Sequence, residues 1–319
     1  MLGGAGDGGS DGGSDGGSTG AGRRLAIMAA QGQSTVVTNA SPGGRNVVVV
    51  PMGSPWLSPF AARPDFPILA GAEFAERGWD PDLRAQLVLA EFGASGWLKK
   101  GAIVLPEPDN TPAALAAEID EMLAKAYCMR GARMGEIVQQ AEDLTLYWVN
   151  MMGVGATTRP YSWQLVCSSM AVGHMVGMYY KNMFHRARPV QVYPTIMPAI
   201  VTPPHPSYPN NHAFQSHLIS MCLMSATSPG GIDAPEQSPW KASLIALADR
   251  VGENREIAGL HFGSDARAAR ILLPQVWKLL KKGKLFRAVV RKAAAEWPAP
   301  GTTGTFAHRV TVDLTAGMF

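Results

Sequence analysis

Cysteine is scarce in this sequence. Its 319 residues include three, Cys128, Cys167 and Cys222, widely spaced and with no CxxC pair. An odd count at such spacing argues against a disulfide framework or a zinc site, and buried free thiols are expected instead. Charge imbalance is also lacking. Lys and Arg number 28 against 25 Asp and Glu, a net charge of +3. That balance excludes a bulk nucleic-acid or membrane-surface binder and leaves room for a local basic site. No run reaches the roughly 18 apolar residues a transmembrane helix needs. The richest stretch, residues 163–180, is interrupted by Gln164, Ser168, Ser169 and His174. It reads as a buried helix with His174 in the core. Arg23-Arg24 precede a short apolar run, LAIMAA, too short and too late for a signal peptide. A soluble chain is therefore expected, cytoplasmic rather than exported. Internal repeats are absent too, and the sequence is silent on oligomeric state, a homo-oligomer being compatible with it.

What is present is a chain that is 46% hydrophobic, enough for a sizeable core. Residues 1–22 are a Gly/Ser/Asp tail that cannot bury a core and is expected to be disordered. Residues 23–110 read as an irregular lead-in, with an extended arm at NVVVVPM and a helix over 80–94. Apolar residues then recur at spacings of three and four. Helices are expected over 111–130, with Thr111 as N-cap and Pro112 at the first helical position, and over 132–152, 162–186, 210–226, 238–260, 264–281 and 283–296. Residues 301–319 are expected to form an extension with a short terminal strand. The fold expected for 111–300 is all-α, a helical bundle.

Three clusters carry possible chemistry. In KNMFHRARP (181–189), Lys181 and Arg188 are seven apart, which on one helix places both on one face. Pro189 then ends the helix at Arg188. In HPSYPNNHAF (205–214), Pro209 is expected to open a buried helix, with Asn210 and Asn211 as caps and His212 in its first turn. A helix N-terminus presents free amides to an anion. In GENREIAGLHFGSDARAAR (252–270), His261 and Asp265 are four apart, one helix face if the backbone is helical. A carboxylate on one imidazole nitrogen fixes the tautomer and frees the other as nucleophile or ligand. Taken singly, each cluster has a plain structural reading: a solvated basic helix end, a capping motif, a surface Asp–His pair. Together they supply two arginines, a lysine and two histidines, the set an oxyanion such as phosphate requires.

In this combination the clusters resemble the signature of the type 2 phosphatidic acid phosphatase superfamily, which includes bacterial class A acid phosphatases and vanadium-dependent haloperoxidases. The family pattern is K-x6-R-P, then P-S-G-H, then S-R-x5-H-x3-D. Lys181 to Arg188-Pro189 matches the first part, Pro209 and His212 the ends of the second, and Arg255, His261 and Asp265 the third. Asn210-Asn211 stand where the family has Ser-Gly, and Asn254 where it has Ser. An Asn amide still donates, and Asn tolerates a left-handed backbone, so Asn211 is expected to replace Gly without collapse.

The resemblance implies a phosphomonoester hydrolase that needs no cofactor. Lys181, Arg188 and Arg255 hold phosphate oxygens, and Asn210 with the amide of Asn211 completes the cradle. His261 attacks phosphorus and forms a phosphohistidine, Asp265 orients it, and His212 protonates the leaving oxygen. The alternative is a vanadium haloperoxidase, with vanadate as cofactor ligated by His261 and with halide and peroxide as substrates. A second alternative is an anion-binding homologue with neither activity. The remaining polar residues receive bland readings. His185 and Arg186 are solvated or helix-packing, His205 belongs to a turn, and His217 faces away from His212.

Overall fold

The computed structural model of the chain describes residues 72–297. The N-terminal tail, the extended arm and the C-terminal strand expected from the sequence lie outside those residues. Nine α-helices follow in order among the described residues: α1 (Pro81–Gly93), α2 (Pro112–Glu142), α3 (Leu146–Met152), α4 (Pro160–Phe184), α5 (Pro189–Val192), α6 (Asn211–Thr227), α7 (Lys241–Ile257), α8 (Gly263–Leu280) and α9 (Lys284–Ala294). The protein is all-helical there, with no strand. None of these helices is long and apolar enough to cross a membrane.

Local chemistry starts several of them. Asp80 accepts from the amides of Asp82 and Leu83, and Thr111 from that of Ala114, each ahead of a proline at the first helical position. Two other starts are capped from a distance. The Glu296 carboxylate takes the amides of Tyr161 and Ser162 at 2.8 Å each. The Glu91 carboxylate takes those of Leu285 and Phe286 at 2.9 and 3.0 Å. An acidic group at a helix N-terminus meets the unpaired amides and the positive dipole end together.

Helix α6 runs through the middle, with α4, α7, α8 and α9 packed around it. Fifteen of its residues are buried, so no face is left for solvent. Phe214, Leu218 and Cys222 join Val172, Val176, Leu272, Val276 and Phe286 in the larger core cluster. Ile219 and Leu223 join Trp148, Val166, Leu244 and Val251 in a second. Helix α1 packs on α4 and inserts Val88 and Phe92 into the larger cluster. The end of α6 that bears Asn211 and His212 is thereby fixed to a rigid scaffold.

Four local expectations are corrected. The helices expected over 111–130 and 132–152 divide elsewhere. Helix α2 continues through Gly131 and Gly135 to Glu142, and the break falls at 143–145. There the Asp143 carboxylate takes both the amide and the hydroxyl of Thr145, a turn in competition with the helix. A glycine costs a helix about 1 kcal/mol, less than the packing of Ile119, Met122 and Ile137 on one face provides. Helix α4 stops at Phe184, with His185 left-handed at φ 48°, so Lys181 and Arg188 do not share a helix. Pro209 precedes the cap Asn210 rather than opening α6. His174 and Cys128 are exposed instead of buried, while Cys167 and Cys222 are buried free thiols.

Candidate active site

The segment 205–207 gathers the first cluster. Lys181 Nζ, at the end of α4, donates to the carbonyls of Pro206 (2.7 Å) and Ser207 (2.9 Å). Arg188, the N-cap of α5, donates from Nε to the carbonyl of His205 at 2.8 Å. Its Nη2 lies 3.0 Å from His205 Nδ1. Both cations therefore reach one site from different elements, pinned by main-chain oxygens. His205, expected in a turn, also orients Arg188.

His261 lies in the turn between α7 and α8, where Gly259 at φ 80° reverses the chain. Asp265 is in the first turn of α8 and accepts the amide of Phe262 at 3.1 Å. The pair thus meets through a capping turn, not on a shared helix face. His261 Nδ1 is 3.0 Å from Asp265 Oδ2. Its Nε2 is 3.0 Å from Arg188 Nη1, which also donates to the carbonyl of Leu260. Guanidinium nitrogens only donate, so Nε2 is the acceptor and the ring proton sits on Nδ1.

Burial pushes the His261 pKa well below its ordinary 6.5, the Arg188 charge adds to that, and the hydrogen bond to Asp265 opposes it. His261 is accordingly neutral with a lone pair on Nε2. Burial alone would raise the Asp265 carboxyl. Its hydrogen bond to His261, the Arg186 charge and the hydrogen bond from Ser207 outweigh that and hold it below the usual carboxylate range.

His212 and Arg255 complete the set, joined by a residue the sequence reading missed. His212 Nε2 donates to the carbonyl of Gln140 on α2 at 3.1 Å, so in the neutral ring Nδ1 is the acceptor. Arg255 Nη2 donates to the carbonyl of Ile137 at 2.8 Å and to Gln140 Oε1 at 3.2 Å. Asn254, where the family pattern has Ser, donates to Gln140 Oε1 at 3.1 Å and to Glu136 at 2.9 Å. Gln140 so ties α2 to α6 and α7 at the site.

Asn210 caps α6, its Oδ1 taking the amide of Ala213 at 3.1 Å while its own amide donates to the carbonyl of Asp265 at 3.0 Å. Asn211 is helical, so left-handed tolerance plays no part in its replacing glycine. All eight residues singled out by sequence are 5% exposed or less.

Arg186 is the main correction at the site. Expected on a solvated or packing face, it is 2% exposed. It donates to Asp265 Oδ1 (2.7 Å), Glu118 Oε2 (2.8 Å), Ser264 Oγ (2.6 Å) and Asn110 Oδ1 (3.0 Å). Ser207 was missed as well: its hydroxyl donates to Asp265 Oδ2 at 2.5 Å. His217 is apart from the site, 3.4 Å from Asp249 on α7.

The buried histidines set a pH dependence. His261 and His217 both have folded pKa values below 6.5, each through burial first. The unfolded chain therefore binds more protons than the folded one just below pH 6.5, and stability falls as pH falls through that window. Each group contributes a slope of at most about 1.4 kcal/mol per pH unit. Asp265 adds the same sign only below its ordinary 3.8. Melting temperatures between pH 7.5 and 5 should decline, and His261→Asn should flatten the decline. An unchanged slope in that variant would place the protonation elsewhere.

No family model matches the sequence, and no curated protein matches it. Among solved structures, the chain is similar to a transmembrane PAP2-type phosphatidylglycerolphosphate phosphatase from Bacillus subtilis. The two are 16% identical over 63% of this chain and 94% of that one, with a TM-score of 0.40.

Proposed function

We propose that this protein hydrolyses a phosphomonoester through a covalent phosphohistidine on His261. One observation carries the reading: a buried, neutral imidazole with its Nδ1 proton locked on Asp265 and its Nε2 lone pair facing the Arg188 guanidinium. A surface Asp–His pair has no use for that arrangement, whereas a nucleophile needs it. The order and spacing of the three sequence clusters add the family resemblance.

In this reading Arg188 shifts its Nη1 hydrogen bond from Nε2 to a phosphate oxygen. Lys181 and Arg255 neutralise the other oxygens, and Asn210 with the first amides of α6 completes the cradle. The Nε2 lone pair forms a bond to phosphorus as the bond to the leaving oxygen breaks. That oxygen takes a proton from protonated His212. Water then attacks phosphorus, His212 accepts its proton, the phosphorus–nitrogen bond breaks and phosphate departs. The Nδ1 proton stays on His261 throughout, held by Asp265.

The donor set of one neutral imidazole nitrogen and three cationic side chains suits vanadate as well as phosphate, so vanadate should compete. The test is hydrolysis of a chromogenic phosphomonoester with chelator present, then with orthovanadate added. Hydrolysis that survives the chelator and is inhibited by vanadate supports the reading. A parallel assay with vanadate, bromide and peroxide follows bromination of a dye. Vanadate-dependent bromination without hydrolysis would replace this reading with a haloperoxidase, and silence in both assays would leave an anion-binding protein.

A further inference from the structure

The position where the family pattern has glycine carries a side chain here, and the structure shows where that side chain goes. A Cβ built on Gly177 of α4 would lie 1.6 Å from Oδ1 of Asn211, 2.6 Å from its Cγ and 3.0 Å from its Nδ2. The clash reaches Cγ, the first atom beyond the Cβ, so turning the terminal amide cannot relieve it. Relief needs a swing about χ1 or a shift of α6. The Asn211 side chain is fully buried, and neither of its polar atoms has a hydrogen-bond partner among the described residues. Shape rather than hydrogen bonding therefore holds it in place.

Both ends of this contact adjoin the site. Asn211 is the first helical residue of α6 and precedes His212. Gly177 is one helical turn before Lys181 on α4. The next turn of the interface repeats the fit further from the site. A Cβ on Gly173 would lie 2.7 Å from Cγ of Gln215, whose amide donates to the carbonyl of Met170 at 3.0 Å.

We propose that Gly177 is a positioning residue for the reaction. Its missing side chain is the notch that admits Asn211. The notch keeps that side chain out of the oxyanion cradle and holds the Asn211 amide and the His212 ring where the anion binds. The activity part of this inference rests on the phosphatase reading, while the interlock itself does not.

The experiment is a double-mutant cycle of Gly177→Ala and Asn211→Gly, with Gly173→Ala as a packing control. Each variant is read for kcat/KM, for melting temperature and for the shift that orthophosphate produces in melting temperature. Gly177→Ala alone should lower kcat/KM about 100-fold and abolish the phosphate shift, because small displacements of reacting groups carry penalties of that size. In the Asn211→Gly background the same substitution should cost less than about threefold, since the colliding side chain is gone. Gly173→Ala should lower the melting temperature without a comparable loss of kcat/KM.

Equal losses from Gly177→Ala in both backgrounds, in activity and in melting temperature, would overturn the interlock. So would an equal loss of kcat/KM in Gly173→Ala. If the wild type hydrolyses no phosphomonoester but the cycle shows coupling in melting temperature and phosphate shift, the interlock stands and the phosphatase reading falls.

Discussion

His261→Ala is expected to lower kcat/KM by about ten-thousand-fold or more while the helical fold persists. The size follows from the role. In the proposed mechanism, loss of the imidazole leaves no atom to bond phosphorus, only the electrostatic cradle proposed for Lys181, Arg188 and Arg255. The fold should survive because Asp265 keeps three other partners, the Arg186 guanidinium, the Ser207 hydroxyl and the Phe262 amide. The truncation still opens a cavity in a site 1% exposed, so a melting temperature a few degrees lower is expected. The check is kinetics on folded protein, with helicity measured by circular dichroism and orthophosphate binding by thermal shift. Phosphate binding retained with turnover lost is the expected pair of results. Turnover retained within about tenfold would remove His261 as the nucleophile.

Arg186→Met should produce the largest loss of stability among the site variants. Arg186 is the countercharge for two carboxylates, Asp265 at 0% and Glu118 at 11% side-chain exposure. Removing one partner of a buried pair leaves uncompensated charge and costs about 3–5 kcal/mol. The guanidinium also stacks 4.2 Å over the Phe262 ring, next to His261 in sequence. Arg186 helps hold the Asp265 carboxyl below its ordinary range, so its loss should move the acid limb of the rate profile to higher pH.

Because Arg186 acts through Asp265, kcat should fall about 10- to 100-fold with little change in KM. Arg186→Lys should recover only part of either effect, since an ammonium cannot make the same fork of four contacts. A normal kcat and pH profile in a destabilised Arg186→Met protein would reduce Arg186 to a structural ion pair.

The candidate site was legible in the sequence where side-chain type and spacing are local. His261 and Asp265, four residues apart, are brought together within a single turn, although by a capping geometry and not the helical one expected. Asn210 as a cap and His212 in the first turn of α6 follow from the chemistry of helix starts. The Lys181–Arg188 pairing was expected for a reason the structure does not use. Helix α4 ends between them, and both are instead tied to the carbonyls of residues 205–207.

Gln140 and Glu118 were invisible to that reading. They lie on α2, 68 residues or more from their partners at the site, inside a helix whose pattern speaks only of packing. Arg186 and Ser207 sat inside the motifs already singled out. Their burial against Asp265 depends on how α8 docks against the 186–207 segment.

By itself, the sequence determined the helical class, the starts of most helices and the identity of the groups proposed to hold an oxyanion. These follow from periodicity, capping and charge, which act within a few residues. Only the tertiary structure decided which nitrogen of His261 is the acceptor, which arginine braces Asp265, and that Asn211 turns into the notch at Gly177. Those outcomes depend on distances between elements far apart in the chain, set by the packing of α4 and α8 on α6 and of α2 on α7, and no local pattern encodes them.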